Sequence, residues 1–261
     1  MKIELLDLMI VLPAFLAGAI VLATHVPLGI QILRRGIVFI DLALAQIAAL
    51  GVIIAGLLDF DPQGIPTQLA AAGAALLGAG LLTWTDKHWS DVQEAQIGVL
   101  FVLAATGGIL LLANDPHGGE NLRDLLAGQI LWVRYEQLLL PALGSAVISG
   151  LLIATHGLLR PLLFYVVFAL AVTASVQLVG VYLVFASLIV PALATRYFSR
   201  FRLLGGYILG LSAYAIGLAV SMRLDLPSGS LIVWCMAVLA IATFALGPGR
   251  PVENAAAMPH P

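Results

Sequence analysis

Charge is what this 261-residue sequence has least of, since only 10% of its residues are Asp, Glu, Lys or Arg. A water-soluble domain carries roughly a quarter of its residues as charges, because they solvate its surface. Here 61% of the residues are apolar, and the mean hydropathy is +1.07. The few charges lie between long apolar runs and not within them. The composition excludes a soluble globular protein and predicts one whose solvent is lipid.

Several catalytic and binding motifs are also missing. The only lysines are Lys2 and Lys87, and no phosphate-binding Gly-x-x-x-x-Gly-Lys-Ser/Thr loop is present, so the chain is not expected to hydrolyse ATP. No His-Glu-x-x-His motif offers a catalytic metal, and we predict neither an enzyme nor a permanently bound cofactor. Cys235, the only cysteine, excludes an intramolecular disulfide. The net charge of −2 argues against a nucleic-acid partner.

The apolar runs have the length of membrane-spanning helices, which need about 20 residues because every backbone polar group must be satisfied within the segment. They predict an all-α, polytopic transmembrane bundle over residues 1–246 with about nine spans (eight to ten), followed by a disordered cytoplasmic tail, 247–261. The first run is interpreted as a retained span and not a signal peptide, because Glu4 and Asp7 lie where a basic region would be expected. The predicted spans are Leu5–Thr24, Val38–Leu57, Gln68–Trp84, Ile97–Ala113, Leu138–Thr155, Leu162–Val176, Leu178–Ala194, Leu204–Ser221 and Ser230–Leu246.

Basic residues predict the orientation, because they concentrate in cytoplasmic connections. Arg34 and Arg35 lie in the first connection, Arg160 in the fifth, and three arginines in the seventh, whereas the second connection has none. Odd-numbered connections are therefore expected inside, with the N-terminus outside and the C-terminus inside. On this assignment none of the five histidines lies within a span.

Polar groups at membrane depth are the candidates for function, because they are costly there. Asp41 and Gln46 lie in RRGIVFIDLALAQIAALG (34–51), and their spacing places them about 140° apart on an ideal helix. Asp41 either pairs with Arg34 or Arg35 or lines a pathway, and Gln46 either joins helices or lines the same pathway. In the seventh span, Pro191 is expected to kink or end the helix as a hinge, and Gly180 to interrupt its beginning.

Five segments, in order along the chain, resemble bacterial metal-ion ABC transporter permeases of the zinc, manganese and iron group. The segment LVGVYLVFASLIVPALATR (178–196) resembles the family signature, in which a Val-Gly pair and an apolar stretch precede Pro-Ala and a basic loop. The others are residues 34–51, EAQIGVLFVLAATGGILLL (94–112), DLLAGQILWV (124–133) and LDLPSGSLIV (224–233).

One departure from the family concerns its metal-contacting pair. The second helix of these permeases usually carries Gly-Asp-Ala-Leu-Ser-His, whose Asp and His contact the metal. Here those two positions hold Leu42 and Gln46, and Asp41 occupies the position of the Gly. An amide oxygen is a poor ligand for transition metals compared with an imidazole. Binding at this point is therefore expected to be weaker, to use Asp41, or to rest with other subunits.

The resemblance implies an ATP-driven importer for a divalent transition metal ion (zinc, manganese or iron) in the bacterial plasma membrane. A periplasmic or lipoprotein receptor would deliver the ion to a permease dimer, and cytoplasmic ATP-binding subunits would drive transport. In the connection Ala194–Leu204, Arg196, Arg200 and Arg202 are candidates for coupling to the ATPase through a short interfacial helix. The alternatives are topology signalling by these arginines and, for the chain, an ion-coupled secondary carrier or a structural membrane subunit without a pathway.

Overall fold

The computed structural model of the chain describes residues 5–62, 64–113, 115–116, 118–155, 159–198 and 200–247. These residues form ten α-helices and two short 3-10 helices, Ser90–Val92 and Ile130–Trp132, and none of them lies in a strand. Of the expected tail, residues 248–261 lie outside the described part. The helices are α1 (Leu5–Arg35), α2 (Ile40–Leu57), α3 (Ile65–His88), α4 (Gln93–Leu111), α5 (Gly118–Ala127), α6 (Tyr135–Ala154), α7 (Pro161–Val179), α8 (Val181–Ala194), α9 (Arg202–Leu224) and α10 (Ser228–Leu246).

The connections between the helices gather at two opposite ends of the bundle. At one end, the residue after α5 contacts the break between α7 and α8, and the start of α10 contacts the last residue of α5. At the other, Arg35 donates a hydrogen bond to the carbonyl of Leu159, and Phe198 lies against Gly247. We call these the outer and inner ends, following the orientation that the basic residues predict.

Successive helices run from one end of the bundle to the other and back, with nine crossings within the described residues. The predicted helical bundle is therefore confirmed. Eight of the crossing helices are long and apolar enough to span a bilayer, and α8 is a shorter apolar helix of 14 residues. The core runs along the bundle axis, where α1, α2, α7 and α8 supply most of the fully buried side chains.

The first predicted span ends too early. We placed its end at Thr24, but α1 continues to Arg35 and includes both Pro13 and Pro27. The polar residues that suggested an end find partners inside the helix, because the Thr24 hydroxyl donates to the Val21 carbonyl and one ring nitrogen of His25, Nδ1, lies 2.9 Å from the same oxygen. The expectation that no histidine lies within a span is therefore wrong for His25, which is fully buried in α1.

Pro27 explains an interhelical contact of α1. Proline has no N–H, so the Ala23 carbonyl, four residues earlier, loses its helical donor. The Tyr207 hydroxyl of α9 donates to this oxygen at 3.0 Å, and the Ser149 hydroxyl of α6 approaches it at 3.5 Å. The carbonyl that Pro27 leaves without a helical donor is thus bound by side chains from two other helices. Such contacts are expected where no water can satisfy a free carbonyl.

We expect Tyr207→Phe to lower the stability of the folded protein by about 1 kcal/mol, the upper part of the range for hydrogen bonds between membrane helices. The Ala23 carbonyl would keep only the weak contact from Ser149. Combining the change with Pro27→Ala should make it less costly, because the substituted residue returns a backbone donor to the same oxygen. Thermal unfolding of the purified protein measures both, with Tyr182→Phe on the exposed side of α8 as control. Equal losses in the two backgrounds would contradict this account.

The boundary between the sixth and seventh predicted spans also differs. We placed it at Gln177, but α7 continues to Val179 and the break is a single residue, Gly180. Gly180 has φ +81° and ψ 163°, a conformation that is essentially restricted to glycine. It packs backbone to backbone against Gly128, which has φ +72°. Neither α5 nor the 3-10 turn Ile130–Trp132 was predicted, because both are too short to be recognised as spans and α5 is also polar.

Candidate functional site

Asp41 is buried in the first turn of α2 and does not pair with Arg35, which was one of the alternatives that the sequence left open. Its side chain is 1% exposed, and Oδ1 has no hydrogen-bond partner among the described residues. The Arg35 guanidinium instead lies 4.2 Å from the centroid of the Phe164 ring and donates to the Leu159 carbonyl. Arg34 lies near Arg202. The carboxyl group of Asp41 is thus held inside the protein without a basic partner from the preceding helix.

Gln46 is also buried, although it points to a different side of α2. Both side chains can be buried because α2 packs against α3, α4 and α7 and has little lipid-facing surface. Gln46 is 6% exposed, and Leu42, one turn earlier, is half-buried. No cluster of three or more His, Cys, Asp or Glu side chains that could hold a metal occurs in the part of the chain that the structure describes. The role of Asp41 and Gln46 on a pathway stays a prediction.

A cavity of about 680 Å³ opens near the outer end between α1, α3, α6 and α7, and we call it the outer cavity. Glu136 and Gln177 are exposed at its mouth. From Glu136 to Ile148, the deepest lining residue of α6, twelve residues of helix cover about 18 Å, more than half of a bilayer's hydrocarbon core. Neither Asp41 nor Gln46 is among the residues that line it.

Four hydroxyl groups line the outer cavity, those of Thr24, Ser145, Thr173 and Ser175, and the first three donate their protons to helix carbonyls. Thr24 donates to Val21 at 3.2 Å, Ser145 to Ile20 at 3.0 Å, and Thr173 to Ala169 at 2.8 Å. A hydroxyl oxygen whose proton is committed can only accept further hydrogen bonds or contact a cation. Of the described residues, those that line the cavity include one carboxylate, Glu136, and no Lys, Arg or His. The only charged side chain in this lining is therefore an acidic one.

At the inner end, α8 passes through Pro191 and ends three residues later, at Ala194. The Pro191 carbonyl accepts hydrogen bonds from both the backbone N–H and the hydroxyl of Thr195, at 3.1 and 2.8 Å. Nη2 of Arg202 donates to the Ala192 carbonyl at 3.4 Å. These contacts satisfy the carbonyls at the end of the helix. Whether Pro191 and Gly180 act as hinges stays a prediction.

The connection after α8 consists of turns, not a separate interfacial helix, in the residues described between Thr195 and Phe201. A run of seven residues is too short for a stable helix on its own. The three arginines differ in their surroundings. The Arg196 guanidinium lies 4.7 Å from the Tyr197 ring and 5.2 Å from the Phe244 ring of α10. Arg202 is half-buried, whereas Arg200 is exposed and lies 5.7 Å from the Phe201 ring.

Sequence reasoning missed His25 and the lining of the outer cavity. His25 Nδ1 contacts a carbonyl, so this nitrogen carries the proton, and Nε2 is buried with no partner from the described parts of the chain. Its signal in the sequence was a histidine directly after a 20-residue apolar run, which we interpreted as the end of that run. The lining hydroxyls lie in three different helices, and Ser and Thr in a membrane helix are otherwise indistinguishable from packing residues.

The model of the ABC 3 transport family matches residues 7–162 and 157–247, nearly the whole chain. The chain belongs to this family. It is therefore a permease that crosses the bacterial inner membrane several times, not an enzyme, and the resemblance inferred from the five segments is confirmed.

Two relatives and one solved structure are similar to this chain over most of its length. The chain is 23% identical to the high-affinity zinc uptake system membrane protein ZnuB of Haemophilus influenzae, covering 89% of this chain and 95% of that one. It is 27% identical to the manganese transport system membrane protein MntC of Halalkalibacterium halodurans, covering 86% and 83%. A chain of PsaBC from Streptococcus pneumoniae, in complex with Fab, superposes with a TM-score of 0.73 at 21% identity over 91% of both chains. The chain thus shares the fold of this solved structure.

Proposed function

We propose that this chain is the membrane-spanning permease subunit of an ATP-driven importer for a divalent transition metal ion, zinc, manganese or iron. The observation that carries the proposal is the family match over nearly the entire chain, together with relatives named for zinc and manganese transport. A separate cytoplasmic subunit would supply ATP hydrolysis, because the chain has no phosphate-binding loop.

Two further partners follow from the same proposal. A metal-binding receptor, periplasmic or anchored by lipid, would deliver the ion at the outer end, where Glu136 stands at the mouth of the outer cavity. A second permease chain would complete the membrane part. Exposed apolar side chains on α4, α6 and α10 leave ample surface for lipid and for such a partner.

Metal content of cells that lack the gene tests this function. We expect the content of one of the three metals to fall when zinc, manganese and iron are measured together, and expression of this chain with its ATPase to restore it. Uptake should stop with vanadate, which blocks ATP hydrolysis. An ion-coupled carrier would instead resist vanadate and stop when the proton gradient is dissipated, and a structural subunit would leave all three metals unchanged.

A further inference from the structure

We propose that the inner ends of α3 and α4 bind a phospholipid whose headgroup carries a primary ammonium, as in phosphatidylethanolamine. Trp84, His88 and Trp89 form the aromatic part of this site, which we call the ring cluster. The exposed Lys87 and Asp91 beside it supply one charge of each sign. An apolar groove between the two helices receives an acyl chain. The site lies on the outer surface of the bundle, so it does not rest on which ion is transported.

The ring cluster lies at the inner end of α3 and in its connection to α4. The Trp84 ring centroid lies 4.8 Å from that of His88 and 5.1 Å from that of Trp89, and the two tryptophans meet edge to face at 86°. Each tryptophan is 48% exposed, so the cluster faces outward and not into the core. Tryptophan concentrates at the level of the headgroups, because its ring is apolar and its N–H is polar. The cluster therefore lies at the inner leaflet's headgroup region.

The charges of this connection favour a zwitterionic headgroup over an anionic one. Oε1 of Glu94 accepts a hydrogen bond from the backbone at the start of α2 at 3.3 Å, and Asp86 lies beside the buried Tyr165 hydroxyl. Among the described residues of the connection, the charged side chains that remain exposed are Lys87 and Asp91. An anionic headgroup is attracted by one and repelled by the other. A zwitterionic headgroup offers its phosphate to Lys87 and its ammonium to Asp91.

The ring cluster suits the ammonium end of such a headgroup. A cation is attracted to the face of a tryptophan ring within about 6 Å of the centroid. Nδ1 of His88 lies 2.8 Å from the Trp84 carbonyl oxygen, so this nitrogen carries the proton and Nε2 is free to accept a hydrogen bond. On an ideal helix Lys87 and His88 lie about 60° and 40° to either side of Trp84. A primary ammonium can donate to Nε2 and to Asp91, whereas a choline headgroup has no N–H to donate.

The groove beside the ring cluster suits an acyl chain. It has a volume of about 310 Å³, and of the seven described residues that line it, Thr85 and Gln96 are polar. The Thr85 hydroxyl donates to the Leu82 carbonyl at 3.1 Å. Thr85 and Val92, which precede and follow Trp89 in the sequence, both belong to the lining, so the rings lie at the inner end of the groove. The groove exists because α4 packs mainly against α2, and α3 against α2 and α7.

The four tryptophans of the chain provide a matched test. Replacing Trp132 and Trp234 by Phe leaves the pair in the ring cluster, whereas replacing Trp84 and Trp89 by Phe leaves the other pair. Trp132 and Trp234 are 79% and 71% exposed, so they report ordinary lipid contact. Phospholipids with brominated acyl chains, which quench tryptophan emission on contact, are added at one low fraction to bilayers of unlabelled phosphatidylcholine that contain either protein.

Brominated phosphatidylethanolamine should quench the ring-cluster pair about 3-fold more strongly than brominated phosphatidylglycerol, with phosphatidylcholine between them. The other tryptophan pair should be quenched equally by all three lipids. Asp91→Asn should remove the preference for phosphatidylethanolamine, and Lys87→Gln should weaken quenching by each lipid, because all three carry a phosphate. Arg223→Gln, an exposed charge loss at the outer end, should change neither. The three charged side chains are exposed, so their substitution leaves the fold intact.

Native mass spectrometry of the purified permease provides a second readout. Trp84→Leu combined with Trp89→Leu should lower the amount of retained phosphatidylethanolamine about 10-fold, because both ring faces are lost. Trp132→Leu, the loss of an exposed tryptophan at the outer end, should retain the parent amount.

Three results overturn the site. Equal quenching of the ring-cluster pair by all three lipids would show ordinary contact with the bilayer. Stronger quenching by phosphatidylglycerol would show a patch for anionic lipid. Loss of quenching when an ATPase subunit or a second permease chain assembles would show that a protein covers the rings. Each result is measured on the permease itself, so it stands whether or not the protein imports a metal.

Discussion

Replacing Gly180 by Ala is expected to abolish accumulation of the folded permease. Gly180 has φ +81° and ψ 163°, a conformation that costs another residue about 1–3 kcal/mol. A Cβ at this position would also overlap the backbone of Gly128, whose Cα would lie 2.6 Å away. Backbone atoms cannot rotate aside as a side chain can, so the α5–α7 contact at the outer end would have to open.

The amount of monodisperse protein after extraction in detergent measures this effect. Gly128→Ala, at the opposite side of the same contact and at φ +72°, should behave like Gly180→Ala. Gly80→Ala in α3 is the matched control, because a Cβ there would meet no other described atom within 4 Å. Alanine also favours a helix more than glycine does. Normal yield and thermal stability of Gly180→Ala would contradict the structural account of this junction.

Charge reversal at Arg200 is expected to separate ATP hydrolysis from transport without affecting the fold. Arg200 is exposed and, unlike the exposed Arg196, has its ring contact with the adjacent Phe201 and not with another helix, so Arg200→Glu changes the surface offered to an ATPase subunit. Arg202→Glu should instead lower stability, because it removes the donor to the Ala192 carbonyl and places a carboxylate at a half-buried position. Arg196→Glu should have an intermediate effect through the lost contact with Phe244.

These different effects of the three arginine substitutions are tested by measuring uptake and ATP hydrolysis together in the assembled transporter. Arg200→Glu should reduce uptake severely while hydrolysis continues, and the protein should melt at the parent temperature. Arg223→Glu, at the outer end of the neighbouring helix α9, is the control for charge alone. If Arg200→Glu transports at the parent rate, the connection has no part in coupling, and its arginines serve to set orientation.

The sequence predicted most of the fold because long apolar runs leave few alternatives in a membrane. Its errors lie where a polar group is satisfied by a neighbour that the sequence does not reveal. His25 suggested the end of a span, yet its Nδ1 contacts a carbonyl of its own helix. The break between α7 and α8 was placed at Gln177, because the conformation of Gly180 depends on Gly128, some fifty residues away.

The candidate site was harder to predict than the fold. Asp41 was correctly identified as a polar residue near the end of a helix. The sequence did not reveal that it would be buried without an ion pair to Arg35, because the Arg35 guanidinium lies over the Phe164 ring instead. The outer cavity is built by four helices, of which only α6 and α7 are consecutive in the chain. Thr173 and Ser145 look like packing residues until the space that they face is known.

The shortness of α8 bears on the order in which the protein is assembled. Its 14 residues extend about 21 Å, less than the thickness of the hydrocarbon core. It packs mainly against α1, α9 and α10, two of which are synthesised after it. During insertion, α8 therefore enters the membrane before two of its main neighbours, α9 and α10, have been synthesised. Its final position is set only when the last two helices arrive, so the C-terminal part of the chain completes the bundle.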